Sequence, residues 1–147
     1  MLKKIPKLLS PKLVRTLMEM GHGDELVLAD ANYPGHALHS RVLRADGIGI
    51  PRLLDAILEL LPLDHYAPAQ AAFMAVVEGD PTVPVIWDTY KELLTRHDPA
   101  VQVEYEERFD FYERSKHSYA ILITGEEALY GNIILKKGVI PPEEAGE

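Results

Sequence analysis

The sequence predicts an α/β fold, a single domain in which a mostly parallel sheet carries helices on both faces. Short aliphatic runs typical of buried strands alternate with longer segments in which apolar residues recur at helical spacing, and this alternation indicates βα units. The chain has 147 residues, enough for one core, and its hydrophobic (47%) and charged (26%) fractions are those of a globular protein. We therefore expect residues 1–147 to form one domain, with the acidic segment 141–147 as a frayed tail.

In the first half of the chain, Ser10 suits the N-cap of a helix and Pro11 suits its first position, so a helix is expected to begin there. Gly21 is the expected stop of that helix. Residues 26–29 form a short aliphatic run between polar residues, which predicts a buried strand. The other predicted elements of this half are a loop over 32–36, a strand over 41–44, a helix from Ile50 that Pro62 ends, and a strand over 71–77.

In the second half, residues 101–105 alternate between apolar and polar side chains, as expected of a strand with one wet face. The run 119–124 is the clearest candidate for a central strand because it is almost entirely apolar. The other predicted elements of this half are helices over 83–96 and 107–116 and a last strand over 133–136, which follows Tyr130-Gly131-Asn132.

The stretch that contains His22 and Asp30 is the strongest candidate for a functional site. Gly21 and Gly23 allow the backbone to bend around His22, and Asp30 follows a predicted buried strand. Ligands of open α/β sheets bind beyond the carboxyl ends of strands, so we expect His22 and Asp30 to face a common crevice as an acid/base pair. The alternative is that His22 is a solvated loop residue and Asp30 caps a turn.

Composition excludes several classes of function. The chain has no cysteine, which excludes disulfides, thiolate catalysis and cysteine-ligated metals. Its formal net charge of −8 argues against a nucleic-acid partner and favours a neutral small molecule as ligand. We expect a cytoplasmic protein, because the basic start of the chain lacks the apolar stretch of a leader and no run is long enough to cross a membrane.

Common catalytic motifs are absent: the sequence contains no phosphate-binding loop, no complete dinucleotide fingerprint, no nucleophile elbow and no H-E-x-x-H motif. His36 and His39 have a spacing that can bind metal, but no third ligand is evident, so no metal site is expected. The remaining histidines, His65, His97 and His117, are interpreted as solvated surface residues.

Two further places carry polar side chains near predicted strand ends. Arg108 follows an acidic segment, so it is either a ligand-binding cation or a member of a surface ion pair. Tyr130 and Asn132 flank Gly131 just before a strand, where they form either a binding segment or an ordinary tight turn.

Taken together, these residues resemble the L-fucose mutarotase family over about residues 8–139. The resemblance rests on blocks that occur in the family's order: Gly21-His22-Gly23-Asp24-Glu25, Leu28 to Asn32, Arg44 to Gly47, Ile50-Pro51, Arg108-Phe109, Phe111 to Arg114, Thr124-Gly125-Glu126, and Tyr130 to Val139. The sister family, D-ribose pyranase, shares the His and Asp block and a Tyr-x-Asn block. Gly131 and the Arg-Phe block favour the fucose branch.

The resemblance implies an isomerase that interconverts the α and β anomers of L-fucose without cofactor or metal. It assigns His22 as the catalytic acid/base, and it assigns sugar binding to Asp30, Arg108, Tyr130, Gly131 and Asn132. It also implies rings of subunits, typically decamers of two pentamers, with sites near subunit boundaries. Two alternatives stay open at this point, namely ribose pyranase activity and a monosaccharide-binding module without catalysis.

Overall fold

The computed structural model describes residues 1–145, and in this range the chain forms six helices and six strands. None of these helices is both long and apolar enough to cross a bilayer. In chain order the elements are α1 (Pro11–Glu19), β1 (Glu25–Ala29), α2 (Gly35–Leu38), β2 (Val42–Ala45), α3 (Ile50–Leu58), β3 (Ala71–Met74), α4 (Ile86–His97), β4 (Val103–Glu106), α5 (Arg108–Lys116), β5 (Ala120–Thr124), β6 (Ile133–Lys136) and α6 (Pro142–Ala145).

All six strands of the described chain belong to one sheet, in the order β2-β5-β1-β6-β3-β4. β5 pairs in parallel with β2 and β1, and β3 pairs in parallel with β4. β6 runs antiparallel to both of its neighbours, β1 and β3. The predicted mostly parallel sheet is therefore confirmed, and β5 lies in its interior as expected.

Helices cover both faces of the sheet. Successive side chains of each strand point to opposite sides, so each strand contributes to the core on either face. In β1, Leu26 and Leu28 pack into a core with α1, α3 and α4. Val27 and Ala29 point the other way, into a second core that includes Phe111 of α5. The near-continuous apolar runs of β1 and β5 follow from this double burial.

The start of α1 agrees with the prediction, since Ser10 Oγ accepts the N–H of Leu13 at 3.1 Å. Its end agrees as well, since the helix stops at Glu19, Met20 is the extended C-cap and Gly21 follows at the predicted C′ position. The glycine that takes a left-handed conformation next to His22 is Gly23, with φ of 88°.

Other boundaries differ from the predictions. The segment 32–36 was expected to be a loop, yet α2 begins at Gly35, where a Cβ would lie 2.9 Å from Cδ1 of Ile123. The absence of a side chain therefore lets this helical turn pack closely on β5. β3 ends at Met74, three residues before the predicted end of its strand. In the expected tail, Pro142–Ala145 form α6, and residues 146–147 lie outside the described part.

The loop between α3 and β3 is hydrogen-bonded to the end of β6. The N–H of Asp64 donates to the carbonyl of Lys136 at 3.0 Å, and the N–H of Gly138 donates to the carbonyl of Pro62 at 2.8 Å. A Cβ built on Gly138 would lie 2.3 Å from the carbonyl oxygen of Leu63. Only glycine allows the two segments to approach this closely.

We predict that Gly138→Ala lowers the free energy of unfolding by about 1–3 kcal/mol, because a methyl group cannot enter this contact without a backbone shift. Urea unfolding followed by circular dichroism measures the change. Gly21→Ala is the control, since its added Cβ would meet only Asp24 Oδ2 at 3.6 Å. Equal stability of the two variants would show that the close approach is unimportant.

Candidate active site

A polar cavity of about 300 Å³ lies at the carboxyl ends of β1 and β3. β6 runs antiparallel to both strands, so the residue that precedes it, Asn132, arrives at this same end of the sheet. Arg108 reaches the cavity from the first turn of α5. The lining residues are Asp30, Asn32, Tyr33, Met74, Val77, Asp80, Arg108, Tyr112, Leu129, Tyr130 and Asn132.

Asp30 and Asn132 are joined by a direct hydrogen bond. The buried Asn132 accepts the backbone N–H of Asp30 on Oδ1 at 2.7 Å, and Asp30 Oδ1 accepts the N–H of Asn32 at 2.9 Å. Burial raises the pKa of Asp30, although the bond from Asn32 acts in the opposite direction. The Asp30 carboxylate and the Asn132 amide both line the cavity, where they can bond a ligand.

Tyr130 has an unusual backbone conformation, with φ of 58°. Its hydroxyl donates to Asp80 Oδ2 at 2.5 Å and accepts the N–H of Val77 at 3.3 Å. The bond to Asp80 raises the pKa of Tyr130. The indole of Trp87 donates to the Tyr130 carbonyl at 2.9 Å, so both ends of this residue are held in place.

Gly131 is needed for close packing behind the cavity. A Cβ there would lie 2.9 Å from the Ala128 carbonyl oxygen, and the Gly131 carbonyl accepts the hydroxyl of Tyr90 at 2.7 Å. Its N–H donates to the same Ala128 carbonyl at 3.2 Å. Both backbone groups of Gly131 are thus bonded within the chain, and the residue shapes the turn that places Tyr130 and Asn132.

Arg108 is the cation of the cavity. Its Nε donates to the hydroxyl of Tyr112 at 3.2 Å, and the guanidinium carbon lies 5.5 Å from the centre of the same ring. The bond to Tyr112 raises the pKa of Arg108, so the group stays charged. The acidic segment before it does not neutralise it; Glu104 and Glu106 instead bind Arg114.

His22 lies at the opposite end of the sheet. The prediction that His22 and Asp30 face a common crevice is therefore wrong within one chain. The two residues flank β1 on either side, and a strand of five residues separates them by about 15 Å or more. The cavity that contains Asp30 does not include His22. One chain therefore brings together Asp30, Arg108, Tyr130 and Asn132 and leaves His22 apart.

The surroundings of His22 are polar and aromatic. Nε2 lies 2.9 Å from Oδ1 of the buried Asp64, and the ring centre of Tyr66 is 5.2 Å from that of the imidazole. The His22 side chain is 44% exposed, so one edge of the ring faces outwards. This is a second polar cluster, the His22 cluster, formed by His22, Asp64 and Tyr66.

The sequence motifs do not identify Asp64, Tyr66 or Asp80 as members of the two polar clusters. The signal available for Asp64 and Tyr66 was a polar loop, 64–68, between a predicted helix and a buried strand. For Asp80 it was the turn 78–81 directly after a buried strand, because loops at strand ends carry binding residues.

His39, His65 and His97 have structural partners in the chain. His39 Nε2 lies 2.7 Å from the carbonyl oxygen of Ser118, and its Nδ1 accepts the N–H of Arg41. His65 pairs with Asp98, and His97 pairs with Asp55 with only 15% of its side chain exposed, so the interpretation of His97 as solvated was wrong. Within residues 1–145, no three His, Asp or Glu side chains are grouped as metal ligands.

Fold and cavity together define a class: an α/β protein with a small polar ligand site at the carboxyl ends of its parallel strands. The chain belongs to the RbsD / FucU transport protein family, whose model matches residues 3–140. The resemblance drawn from the sequence blocks is thereby confirmed.

Relatives of the chain are similar over nearly their whole length. An L-fucose mutarotase of Actinobacillus pleuropneumoniae is 50% identical over 142 residues, which cover 96% of this chain and 99% of the relative. A fucose mutarotase of Danio rerio is 53% identical, with 97% of each chain covered. The crystal structure of the Streptococcus pneumoniae fucose mutarotase in complex with L-fucose superposes with a TM-score of 0.90 at 55% identity, covering 95% of this chain and all (100%) of that one.

We predict that Asp30→Asn raises stability at neutral pH, because burial raises the pKa of Asp30 and the folded state disfavours its charged form. The gain should vanish below the pKa of Asp30 in the unfolded chain, where the carboxyl is neutral in both states, and should grow as pH rises through the folded-state value. Urea unfolding of both proteins from pH 3 to pH 7 measures the difference.

Asp46→Asn is the control, and its expected change in stability has the opposite sign, since the bond from Arg44 lowers the pKa of Asp46. It should cost a little stability at neutral pH. A loss of stability in Asp30→Asn at pH 7 would contradict the account of Asp30 as a carboxylate destabilised by burial.

Proposed function

We propose that the protein is a mutarotase that interconverts the α and β anomers of L-fucose, by acid/base opening and closing of the sugar ring. The observation that carries the proposal is the cavity of Asp30, Arg108, Tyr130 and Asn132, in a chain 55% identical to a fucose mutarotase solved with L-fucose. Related monosaccharides with the same pattern of hydroxyls are included in this proposal as further substrates.

In this proposal the cavity binds the sugar through its hydroxyl groups. The carboxylate of Asp30 accepts from hydroxyls, and the Arg108 guanidinium and the Asn132 amide donate to them. Gly131 contributes through the turn that positions its two neighbours. The cavity has one cation, Arg108, and two carboxylates, those of Asp30 and Asp80, so its charge disfavours an anionic ligand.

His22 is proposed as the catalytic acid/base. Ring opening removes the proton of the anomeric hydroxyl and delivers a proton to the ring oxygen, while the bond from C1 to the ring oxygen breaks and a C1 carbonyl forms. Rotation about C1–C2 and the reverse transfers then close the other anomer. An imidazole can both give and take a proton near neutral pH, so the reaction needs neither cofactor nor metal.

Because His22 and the cavity lie at opposite ends of the sheet, we propose that each working site combines the cavity of one copy with the His22 cluster of a second copy. Exposed apolar side chains border both half-sites. Tyr66, beside His22, is 82% exposed, and Phe109 and Leu129 near the cavity are 66% and 65% exposed. Large apolar groups in these positions are typical of surfaces that another subunit covers.

The assembly that we propose is a ring of subunits, arranged as a decamer of two pentamers. A ring arises from head-to-tail contacts, in which one surface of a copy meets a different surface of the next. The two half-sites are such a pair of surfaces. We propose further that residues 1–147 act as one sugar-mutarotase domain in the cytoplasm, a reducing compartment that suits a chain without cysteine.

The alternatives are the pyranose–furanose interconversion of D-ribose on the same scaffold, and a module that binds the sugar without catalysis. Gly131 and the Arg108-Phe109 block favour the fucose branch over the ribose branch. A pure binding module would need only the cavity and would not accelerate anomer exchange.

We predict that the protein accelerates exchange between the α and β H1 signals of L-fucose, measured by saturation-transfer NMR. His22→Gln should reduce this acceleration by about 10²- to 10⁴-fold while L-fucose still binds, because the substitution removes only the proton-transferring group. His36→Gln, at an exposed histidine of α2, is the matched control and should retain full activity.

Exchange with D-ribose but not with L-fucose would show that the protein has the ribose pyranase activity instead. Binding of L-fucose without any exchange in the wild type would show that the protein binds the sugar without catalysis.

We predict that two inactive variants complement each other. In mixed assemblies of His22→Gln and Arg108→Ala, some sites pair an intact cavity from one variant with an intact His22 from the other. Random mixing at equal amounts should restore about a quarter of the wild-type sites. If the mixture, after subunit exchange is verified by mass spectrometry, stays inactive, the two-copy site is wrong.

A further inference from the structure

We propose that Asp64 is the positioning residue of His22: it fixes which ring nitrogen faces the substrate and stabilises the protonated imidazole. This inference rests on the proposed function, in which His22 transfers the protons, and it assigns a role to a residue outside the sugar-binding cavity.

Asp64 is a buried carboxylate with few partners. Its side chain is 7% exposed, and its Oδ1 accepts the Tyr66 N–H at 3.0 Å and the His22 Nε2 group at 2.9 Å. The backbone of Asp64 is held as well, because its N–H donates to Lys136 and its carbonyl accepts Nε2 of the buried Gln70 at 3.0 Å. The carboxylate is therefore a fixed point against which the imidazole is oriented.

The chemistry of this contact determines the tautomer. A carboxylate accepts hydrogen bonds and cannot donate them, so Nε2 of His22 must carry a proton. Nδ1 then holds the lone pair and is the nitrogen that exchanges protons with the sugar. Burial acts to raise the pKa of Asp64, but the bonds from His22 and Tyr66 outweigh it and the pKa is lowered, so the group is ionised at neutral pH.

The charges around the pair support the same role. Lys136, at the end of β6, is a cation near Asp64, and the ring of Tyr66 lies tilted beside the imidazole, with 5.2 Å between the ring centres. Asp24 lies in the same turn, but its Oδ2 accepts the N–H of Gly21 at 2.7 Å. When His22 takes a proton, the new positive charge thus lies next to the Asp64 carboxylate.

The pair formed by His97 and Asp55 provides a matched comparison. His97 Nε2 lies 2.7 Å from Asp55 Oδ1, a distance similar to that of the His22 pair, but the Asp55 side chain is 47% exposed. This pair connects α3 and α4, and neither residue lines the sugar cavity. Asp55→Asn therefore changes a His–Asp contact of the same type without touching the proposed site.

The test compares Asp64→Ala, Asp64→Asn and Asp55→Asn by two measurements: the ¹⁵N NMR signals of the His22 ring, and the rate of L-fucose anomer exchange as a function of pH and sugar concentration. Wild type and Asp55→Asn should show one tautomer with the proton on Nε2. Asp64→Ala should show a mixture of tautomers and a kcat about 10- to 100-fold lower with KM unchanged, because the sugar cavity remains intact.

Asp64→Asn separates orientation from charge. The amide oxygen can still accept both N–H groups that Asp64 Oδ1 accepts now, so the tautomer should be kept. The negative charge is lost, so protonation of the imidazole becomes less favourable and the acid side of the pH profile should shift to lower pH. This near-isosteric variant also carries the test if Asp64→Ala does not fold.

A single His22 tautomer in Asp64→Ala, or a loss expressed in KM alone, would overturn the proposal. An unshifted acid limb in folded Asp64→Asn would overturn it as well. If the proposed function is wrong, the wild type will show no exchange with L-fucose. The ¹⁵N signals will still report whether Asp64 sets the tautomer, so the two failures can be told apart.

Discussion

The antiparallel strand β6 is the constraint on which the rest of the structure depends. It separates two groups of parallel strands, and its residues Ile133, Ile134 and Leu135 are fully buried between the two helical layers. Its beginning places Asn132 beside Asp30, and its end binds the loop that carries Asp64. One short strand thus supports the sugar cavity at one end of the sheet and the His22 cluster at the other.

This arrangement explains why the polar groups of the molecule form two clusters with different characters. The cavity offers hydroxyl-binding groups, namely a carboxylate, a guanidinium and an amide, and most of them are held by bonds within the chain. The His22 cluster has the titratable imidazole with its buried carboxylate. Neither cluster alone supplies both sugar binding and proton transfer, which is the physical basis for proposing a site shared by two copies.

Much of the fold was predictable because its signals are local. The N-cap at Ser10, the aliphatic runs of β1 and β5 and the helical spacing of α3 depend on neighbouring residues, and the corresponding elements appear within a few positions of their predicted bounds. The direction of β6 was not predictable, because it depends on how the segment between β5 and β6 returns across the sheet. That direction also decides where Asn132 lies.

The candidate site was predictable in its residues more than in its geometry. The pocket residues Asp30, Arg108, Tyr130 and Asn132 do come together. The pairing of Asp30 with His22 failed for a simple reason: residues that precede and follow one strand lie at its opposite ends. The contact between His22 and Asp64 joins residues 42 positions apart, and no local pattern in the sequence indicates it.

The shared site is tested most directly by the rate of L-fucose anomer exchange per copy. This rate is measured while the protein is diluted until its subunits dissociate, and sedimentation reports the mass of the particles. We expect the rate per copy to fall in parallel with dissociation, because a separated copy holds the cavity and His22 at opposite ends of its sheet. Undiminished exchange by a verified monomer would contradict it.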